Sequence, residues 1–272
     1  MKILISGATG FVGRYVVTEL LDSDHEVVCI IRDKKKLELF DWNKKVEIIY
    51  GDIYKDKFDI NSGNIPDALI HLAWSGLPNY QSPHHLKVNL PGDQRLLKYF
   101  LDKGLKHILV TGTCFEFGKQ YGPLSPDMPT FPDNPYAIAK DRLRQWLEDL
   151  QQKEEFVLQW VRLFYMYGPG QNPNSIIAQL DQAIDSGKFV FNMSDGEQLR
   201  DYLPVEKVAR FLVSCVEDKE IKGIIHCCSG EPISIRRLVE KHIAKRNSRI
   251  KLNLGYYPYI EHETMAFWGV NE

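Results

Sequence analysis

Tyr136 and Lys140 stand four residues apart in the segment Tyr136-Ala137-Ile138-Ala139-Lys140, a spacing that puts both side chains on one face of a helix. An ammonium beside a phenol stabilises the phenolate and lowers the tyrosine's pKa. A tyrosine so tuned exchanges a proton with a carbonyl or alcohol oxygen near neutral pH. A hydroxyl from a separate segment, Thr113, follows the apolar run His107–Thr111 in the stretch Thr111-Gly112-Thr113-Cys114-Phe115-Glu116-Phe117-Gly118. It is suited to hold the same oxygen as a second hydrogen-bond donor. Tyr-x-x-x-Lys alone is an ordinary surface-helix pattern. It acquires meaning from the threonine-bearing strand end and from a glycine turn that precedes both in the chain.

That turn is Lys2–Gly13, KILISGATGFVG. A short apolar run ends in Ser6, glycines follow at Gly7, Gly10 and Gly13, and an amphipathic segment begins at Phe11, which reads as strand, tight turn and helix N-terminus. Glycine permits positive φ and leaves no Cβ between backbone and ligand. The free N–H groups and dipole of the helix start then face an anion, and a pyrophosphate fits best. The next apolar run, Val27–Ile31, ends in Arg32, Asp33 and three lysines, Lys34 to Lys36. An NAD site places a carboxylate at that strand end to hold the ribose 2′-OH. A guanidinium there suits a 2′-phosphate, so NADP(H) is favoured. NAD(H) is the alternative, with Arg32 turned to solvent and Asp33 reaching the ribose. The lysine run reads equally as a solvated helix start.

The elements that must position these groups follow from periodicity. A helix runs from Phe11 to Ser23, and strands are expected at Val46–Tyr50, Ala68–Ala73, His107–Thr111 and Phe156–Arg162. His71, inside its apolar run, reads as a packed core histidine. Helices are expected over Leu86–Lys103 and from Pro135 to Gln152, the second with Asn134 as N-cap and proline at its first position. Strands alternating with helices, with the glycine turn on the first connection, describe an α/β fold with a doubly wound parallel, Rossmann-type sheet. We read residues 1–163 as the dinucleotide-binding domain. Residues 164–272, punctuated by proline and glycine, read as mainly a smaller substrate-binding region interleaved with it.

The 272 residues, 44% hydrophobic and 26% charged, suffice for a large core. A net charge of −2 offers no whole-protein case for nucleic acid or an anionic membrane. Five cysteines, an odd number without a CxxC pair, give neither a disulfide framework nor a metal pattern. No apolar run is long enough to span a bilayer and nothing precedes the first strand, so a cytoplasmic protein without metal is expected.

Taken together the motifs resemble the extended short-chain dehydrogenase/reductases that act on nucleotide sugars. The resemblance covers nearly the whole chain: GATGFVG at Gly7–Gly13, GDI at Gly51–Ile53, HLA at His71–Ala73, Asn89, GTCFEFG, YAIAK, RLFYMYGPG at Arg162–Gly170, RDYLPVEKVA at Arg200–Ala209, SGEPISI at Ser229–Ile235 and AFWG at Ala266–Gly269. It implies that Tyr136 is the acid/base, that Lys140 binds the nicotinamide ribose and tunes the tyrosine, and that Thr113 hydrogen-bonds the reacting sugar oxygen. It further implies a cofactor held by Gly7, Thr9, Gly10, Phe11, Val12, Gly13, Arg32, Asp52, Ile53, Leu72, Ala73, Tyr136 and Lys140. Arg200 matches an arginine that grips the substrate pyrophosphate, an ion pair with Asp201 being the bland alternative. Asn89 caps or packs.

Departures from the family narrow the reaction. Its 4,6-dehydratases carry Asp-Glu after the threonine, where this chain has Cys114-Phe115; its GDP-fucose epimerase-reductases place a cysteine where Phe115 stands. Cys114 therefore reads as a small packed residue, Glu116 has no assigned role, and Tyr165 replaces the usual asparagine of the R-x-F-N-x-Y-G-P stretch. GTCFEFG and AFWG resemble the dTDP-4-dehydro-6-deoxyglucose or -talose 4-reductase branch. The expected function is thus NADPH-dependent reduction of the C4 ketone of a nucleotide-linked 4-keto-6-deoxyhexose. A 4-epimerase retaining NAD and a non-catalytic NADP(H)-sensing protein are the alternatives. A homodimer through the helices bearing Asn89–Lys103 and Pro135–Gln152 is expected from the same resemblance.

Overall fold

The computed structural model describes residues 1–55, 65–259 and 263–271. With strands numbered along the whole chain, a parallel sheet is built from β1 (Lys2–Ser6), β2 (Glu26–Ile31), β3 (Glu47–Tyr50), β4 (Ala68–His71), β5 (His107–Thr113), β7 (Val157–Leu163) and β12 (Gly223–Cys227). Their order is β12-β7-β5-β4-β1-β2-β3. The chain winds outward from β1 in both directions, so β1 and β4 flank the topological switch point, where crevices form beyond the strands' carboxyl ends. Strands covered on both faces need no polar alternation; every residue of β5 is buried.

Helices α1 (Phe11–Asp22), α3 (Leu90–Asp102), α4 (Pro135–Gln151) and α6 (Val205–Glu217) cover the sheet, and a single turn, α2 (Lys34–Leu37), follows β2. Leu96, Leu97 and Phe100 of α3 and Leu143 and Leu147 of α4 share one apolar cluster with Leu69, Ile108, Val110 and Trp160 of the strands. Each such side chain contributes about 1.5–3 kcal/mol by leaving water. The α4 start matches its sequence signature: Asn134 Oδ1 accepts the Ala137 N–H at 3.0 Å, with Pro135 at the first position.

Three boundaries differ from the expected ones by more than one residue, each for a physical reason. The run Ala68–Ala73 is strand only to His71, because the Ala73 N–H turns to the Ser6 hydroxyl at 3.4 Å instead of a ladder carbonyl. β5 extends to Thr113, which stands opposite Leu163 at the last rung. The helix expected from Leu86 opens instead with a π turn over His85–Asn89. Pro91, lacking an N–H, cannot continue the regular ladder there.

The chain folds as two compact units, one of residues 1–118, 129–163 and 206–227, the other of 119–128, 164–205 and 228–272. Each unit takes in a segment distant from the rest of it in sequence. Residues 206–227 join the first unit because β12 pairs with β7, Gly223 opposite Gln159 through Cys227 opposite Leu163. Residues 119–128 join the second, where β6 (Gly122–Leu124) pairs with β15 (Phe267–Gly269). The second unit also holds α5 (Ile176–Asp185), α7 (Ile235–Lys245) and the pairs β8 (Tyr165–Tyr167) with β11 (Tyr202–Pro204), β9 (Val190–Asn192) with β14 (Lys251–Asn253), and β10 (Leu199–Arg200) with β13 (Ile233–Ser234). Ile177, Leu180, Phe191, Met193, Leu238 and Val239 form its core. Among the described residues no helix is long and apolar enough to cross a membrane.

Candidate active site

The glycine turn has the shape of an anion cradle. Gly7 adopts φ +81° and packs so tightly on the next strand end that a Cβ would lie 2.7 Å from the Ala73 nitrogen. A Cβ on Gly13 would collide with the Gly7 carbonyl. Gly10, the N-cap of α1, brings no side-chain cap, and the first turn holds no acidic residue. Its N–H groups are therefore left to an outside acceptor. Thr9, Phe11 and Val12 are half-buried around this turn, as are Leu72 and Ala73 across the switch point. These residues fit a dinucleotide: the backbone approaches closely, no carboxylate repels the phosphates, and the helix dipole points at them.

At the end of β2, Arg32 is largely exposed and its Nη1 lies 3.8 Å from Asp52 Oδ2. Asp52 Oδ1 accepts the Tyr54 N–H at 3.0 Å, and Ile53 is buried beside it. Asp33 caps α2, its Oδ1 accepting from the Lys35 and Lys36 N–H groups at 3.0 and 3.2 Å. That carboxylate is thus engaged with its own helix, while the guanidinium stands largely exposed beside Asp52.

Thr113, Tyr136 and Lys140 converge at the carboxyl end of β5. The Thr113 side chain hydrogen-bonds the Tyr136 phenol. Around the phenol ring stand Trp74, Tyr80, His85 and Phe115, with centroid separations of 5.7, 5.5, 5.5 and 6.3 Å. Lys140 Nζ donates to the Thr111 carbonyl at 2.7 Å and sits 4.1 Å from the Trp74 ring centre. Burial lowers its pKa to about 8, against the opposing pull of Asp93 and Glu116. One expectation is corrected here. The Tyr136 phenol is pushed up from its ordinary value by burial, with only the Thr113 hydrogen bond pulling it down. Lys140 Nζ is directed at a backbone carbonyl and an indole face rather than at the phenol, and the lowering that the i, i+4 spacing promised is absent.

Glu116, without a role from sequence, organises this corner. It is fully buried, accepts the Thr113 N–H at 2.8 Å and receives Arg162 Nε at 2.7 Å. Trp160 Nε1 adds a bond at 3.1 Å. Thr113 in turn accepts the Phe115 N–H at 3.3 Å, so the two form a reciprocal capping box over Cys114–Phe117. Burial raises the Glu116 pKa while the Arg162 guanidinium holds it back. The T-x-x-E spacing carried this signal. Trp74, Tyr80 and His85 had none, because they lie in an aperiodic loop and a π turn. Cys114 is buried as read, and Asn89 binds Ser75, its Oδ1 accepting the hydroxyl at 2.7 Å and its Nδ2 donating to the carbonyl at 2.8 Å.

In the second unit Arg200 is buried and bonded to Glu263 Oε1 at 2.9 Å and to the Leu199 carbonyl at 2.9 Å, with its guanidinium 4.5 Å from the Phe267 ring centre. The partner is Glu263, not the neighbouring Asp201, whose carboxylate accepts the Ser229 and Gly230 N–H groups at 2.8 and 3.0 Å.

A doubly wound sheet with an open glycine turn at its switch point, and a Tyr-Lys-Thr group two strands away, is the architecture of a short-chain dehydrogenase/reductase. The chain belongs to the NAD dependent epimerase/dehydratase family, whose model it matches over residues 3–228. It is 36% identical over 274 residues, 99% of either chain, to a dTDP-6-deoxy-L-talose 4-dehydrogenase (NAD(+)) of Aggregatibacter actinomycetemcomitans. It is 24% identical to a dTDP-4-dehydro-6-deoxyglucose reductase of Escherichia coli, over 91% of this chain and 82% of that one. The fold matches the crystal structure of a UDP-glucose 4-epimerase of Thermotoga maritima with a TM-score of 0.85, 22% identity and coverage of 100% and 90% of the two chains.

Proposed function

We propose that this protein is a reductase that takes NADPH and reduces the C4 ketone of a nucleotide-linked 4-keto-6-deoxyhexose, a dTDP-sugar first. The observation that carries the reading is the hydrogen bond between the Thr113 hydroxyl and the Tyr136 phenol, two strands from the glycine turn. Its support from relatives is the C4 oxidoreduction of dTDP-6-deoxyhexoses in the names of the two just cited.

A bound reduced dinucleotide would supply the hydride; proton and position fall to the chain. The Tyr136 phenol, kept protonated by its buried setting, gives its proton to the oxygen that becomes the C4 hydroxyl. Thr113 donates its hydroxyl hydrogen to the same oxygen, and Glu116 fixes the backbone from which it does so. Lys140 holds the ribose hydroxyls, and Arg32 with its lysine neighbours receives the 2′-phosphate. Arg200 takes the substrate's diphosphate in exchange for Glu263. A homodimer through α3 and α4 belongs to the same proposal and is read by light scattering on the purified protein.

The experiment is a panel of NDP-4-keto sugars offered with NADPH and with NADH, consumption followed by absorbance and the product identified by NMR. Turnover with a dTDP-4-keto-6-deoxyhexose, lost in Tyr136→Phe, is the expected result. Purified protein carrying tightly bound NAD, with interconversion of sugars and no net NADPH consumption, overturns it in favour of a 4-epimerase, the activity named for the Thermotoga structure. Dinucleotide binding without turnover of any sugar points instead to a sensor.

A further inference from the structure

Beneath the site runs a buried polar chain that the reaction above does not use. Ser6 at the end of β1 and His71 at the end of β4 are register partners across the switch point. The Ser6 hydroxyl lies 2.7 Å from His71 Nδ1, and His71 Nε2 lies 3.3 Å from Asp93 Oδ2 on α3. All three residues are 0% exposed. Neither Asp93 oxygen receives a well-formed hydrogen bond among the described residues. Its neighbours are His71 and the Tyr54 phenol, which burial and the Asp93 charge push up. The Ser6 oxygen also accepts the Ala73 N–H, and Nε2 is the His71 nitrogen that faces the carboxylate.

A carboxylate so deeply buried and so poorly bonded is costly unless a cation compensates it. His71 also ties it to the active site: the His71 carbonyl accepts the Thr111 hydroxyl at 3.3 Å, and the Thr111 carbonyl accepts Lys140 Nζ at 2.7 Å. Helices α3 and α4 pack directly on each other. We propose that Asp93, held in place by His71, is the buried counter-ion of Lys140 and so the positioning residue that keeps this amine an ammonium at working pH. The groups facing Lys140 are few. Asp93 comes from α3, Glu116 from the turn after β5 and His85 from the π turn; the Trp74 ring lies over it, and Tyr136 shares its helix. Glu116 is already committed to Arg162, and burial keeps His85 below its ordinary pKa. Among the described residues, Asp93 is the carboxylate left to serve the lysine.

The inference deepens the reading of Lys140 as a ribose-binding ammonium, but its test needs no substrate. Protein carrying 13Cε-labelled lysine is titrated by NMR, the Lys140 signal being assigned with Lys140→Arg. The wild-type midpoint is expected near 8; a midpoint below about 6, the range of a buried lysine without a counter-ion, overturns the proposal without any further variant. In Asp93→Asn, or Asp93→Ser should the first fail to fold, the midpoint falls by about one pH unit. Asp102→Asn, exposed on the same helix, leaves it in place. A folded Asp93 variant with an unmoved or raised midpoint overturns the proposal. Failure of the sugar panel with a midpoint that falls in Asp93→Asn rejects the reductase reading alone.

Discussion

The carboxylate of Glu116 accepts the backbone N–H of Thr113 at 2.8 Å, both groups buried at the last rung of β5. This bond transmits to the active site the state of a second one, the Glu116–Arg162 ion pair, whose partners are 0% and 1% exposed. Breaking a buried pair from one side strands the other charge, at about 3–5 kcal/mol, whereas replacing both partners with neutral groups costs far less. Arg162→Met should therefore destabilise the protein by about that amount. The double variant Glu116→Gln/Arg162→Met should recover most of it while kcat stays reduced, because the Thr113 loop has lost its charged acceptor. Urea unfolding of the three proteins beside their turnover rates checks both halves.

Lys140 predicts a pH dependence of stability. Its folded pKa, about 8, is below the unfolded value near 10.4. Between these pH values the unfolded chain binds the extra proton, so this group's contribution to stability rises as pH rises. Below about pH 8 the full penalty of burying the ammonium is present, on the order of 3 kcal/mol. Lys140→Met removes that penalty but strands Asp93, so the sign lies in the pH dependence rather than in the absolute stability. Between pH 8 and 10 the stability difference should shift in favour of the wild type, while activity of the variant is absent throughout. Parallel urea titrations at three pH values read the difference; a shift in favour of the variant as pH rises would contradict the sign.

These two cases mark what the chain's pattern could and could not disclose. The doubly wound sheet was legible because buried parallel strands are continuous apolar runs, and the glycine turn because Gly7 and Gly13 answer to local geometry. Tyr136, Lys140 and Thr113 were singled out by type and spacing. Their electrostatics were not, since a pKa depends on burial and on partners such as Asp93 and Thr111 that arrive from other strands. Arg200 was recognisable as a cation in a motif, yet its partner Glu263 is 63 positions away, a separation no local pattern encodes. The exchange of residues 119–128 and 206–227 between the units was hidden for the same reason: pairing of β6 with β15 and of β12 with β7 is decided by the whole fold.

Arg32 sets the cofactor prediction. With the Asp33 oxygen Oδ1 occupied by two N–H groups of α2, the outward charge at the end of β2 is positive. Charge-assisted hydrogen bonds contribute about 1.5–3 kcal/mol, so Arg32→Ala should raise KM for NADPH by roughly 10- to 100-fold. The KM for NADH, which has no 2′-phosphate, should change by less than about 3-fold. Initial rates with the two cofactors decide it; an equal loss for both would return the ribose to a carboxylate and the protein to NAD.

Glu263 and Arg200 give a prediction in which two substitutions at one contact act in opposite directions. The guanidinium that the reaction assigns to the substrate diphosphate is held at 2.9 Å by a carboxylate and stacked on Phe267. If the diphosphate must displace that carboxylate, part of its binding energy goes into breaking the existing pair. Removing the competing charge with Glu263→Gln leaves the stacking and a neutral acceptor in place, and should lower the nucleotide-sugar KM by about 3- to 10-fold, the coupling of a partly exposed pair. Arg200→Met should raise the same KM at least about 10-fold, with the dinucleotide KM unchanged in both. A KM that rises in Glu263→Gln as well would show that the pair is a strut of the second unit, and that the diphosphate is held by another cation.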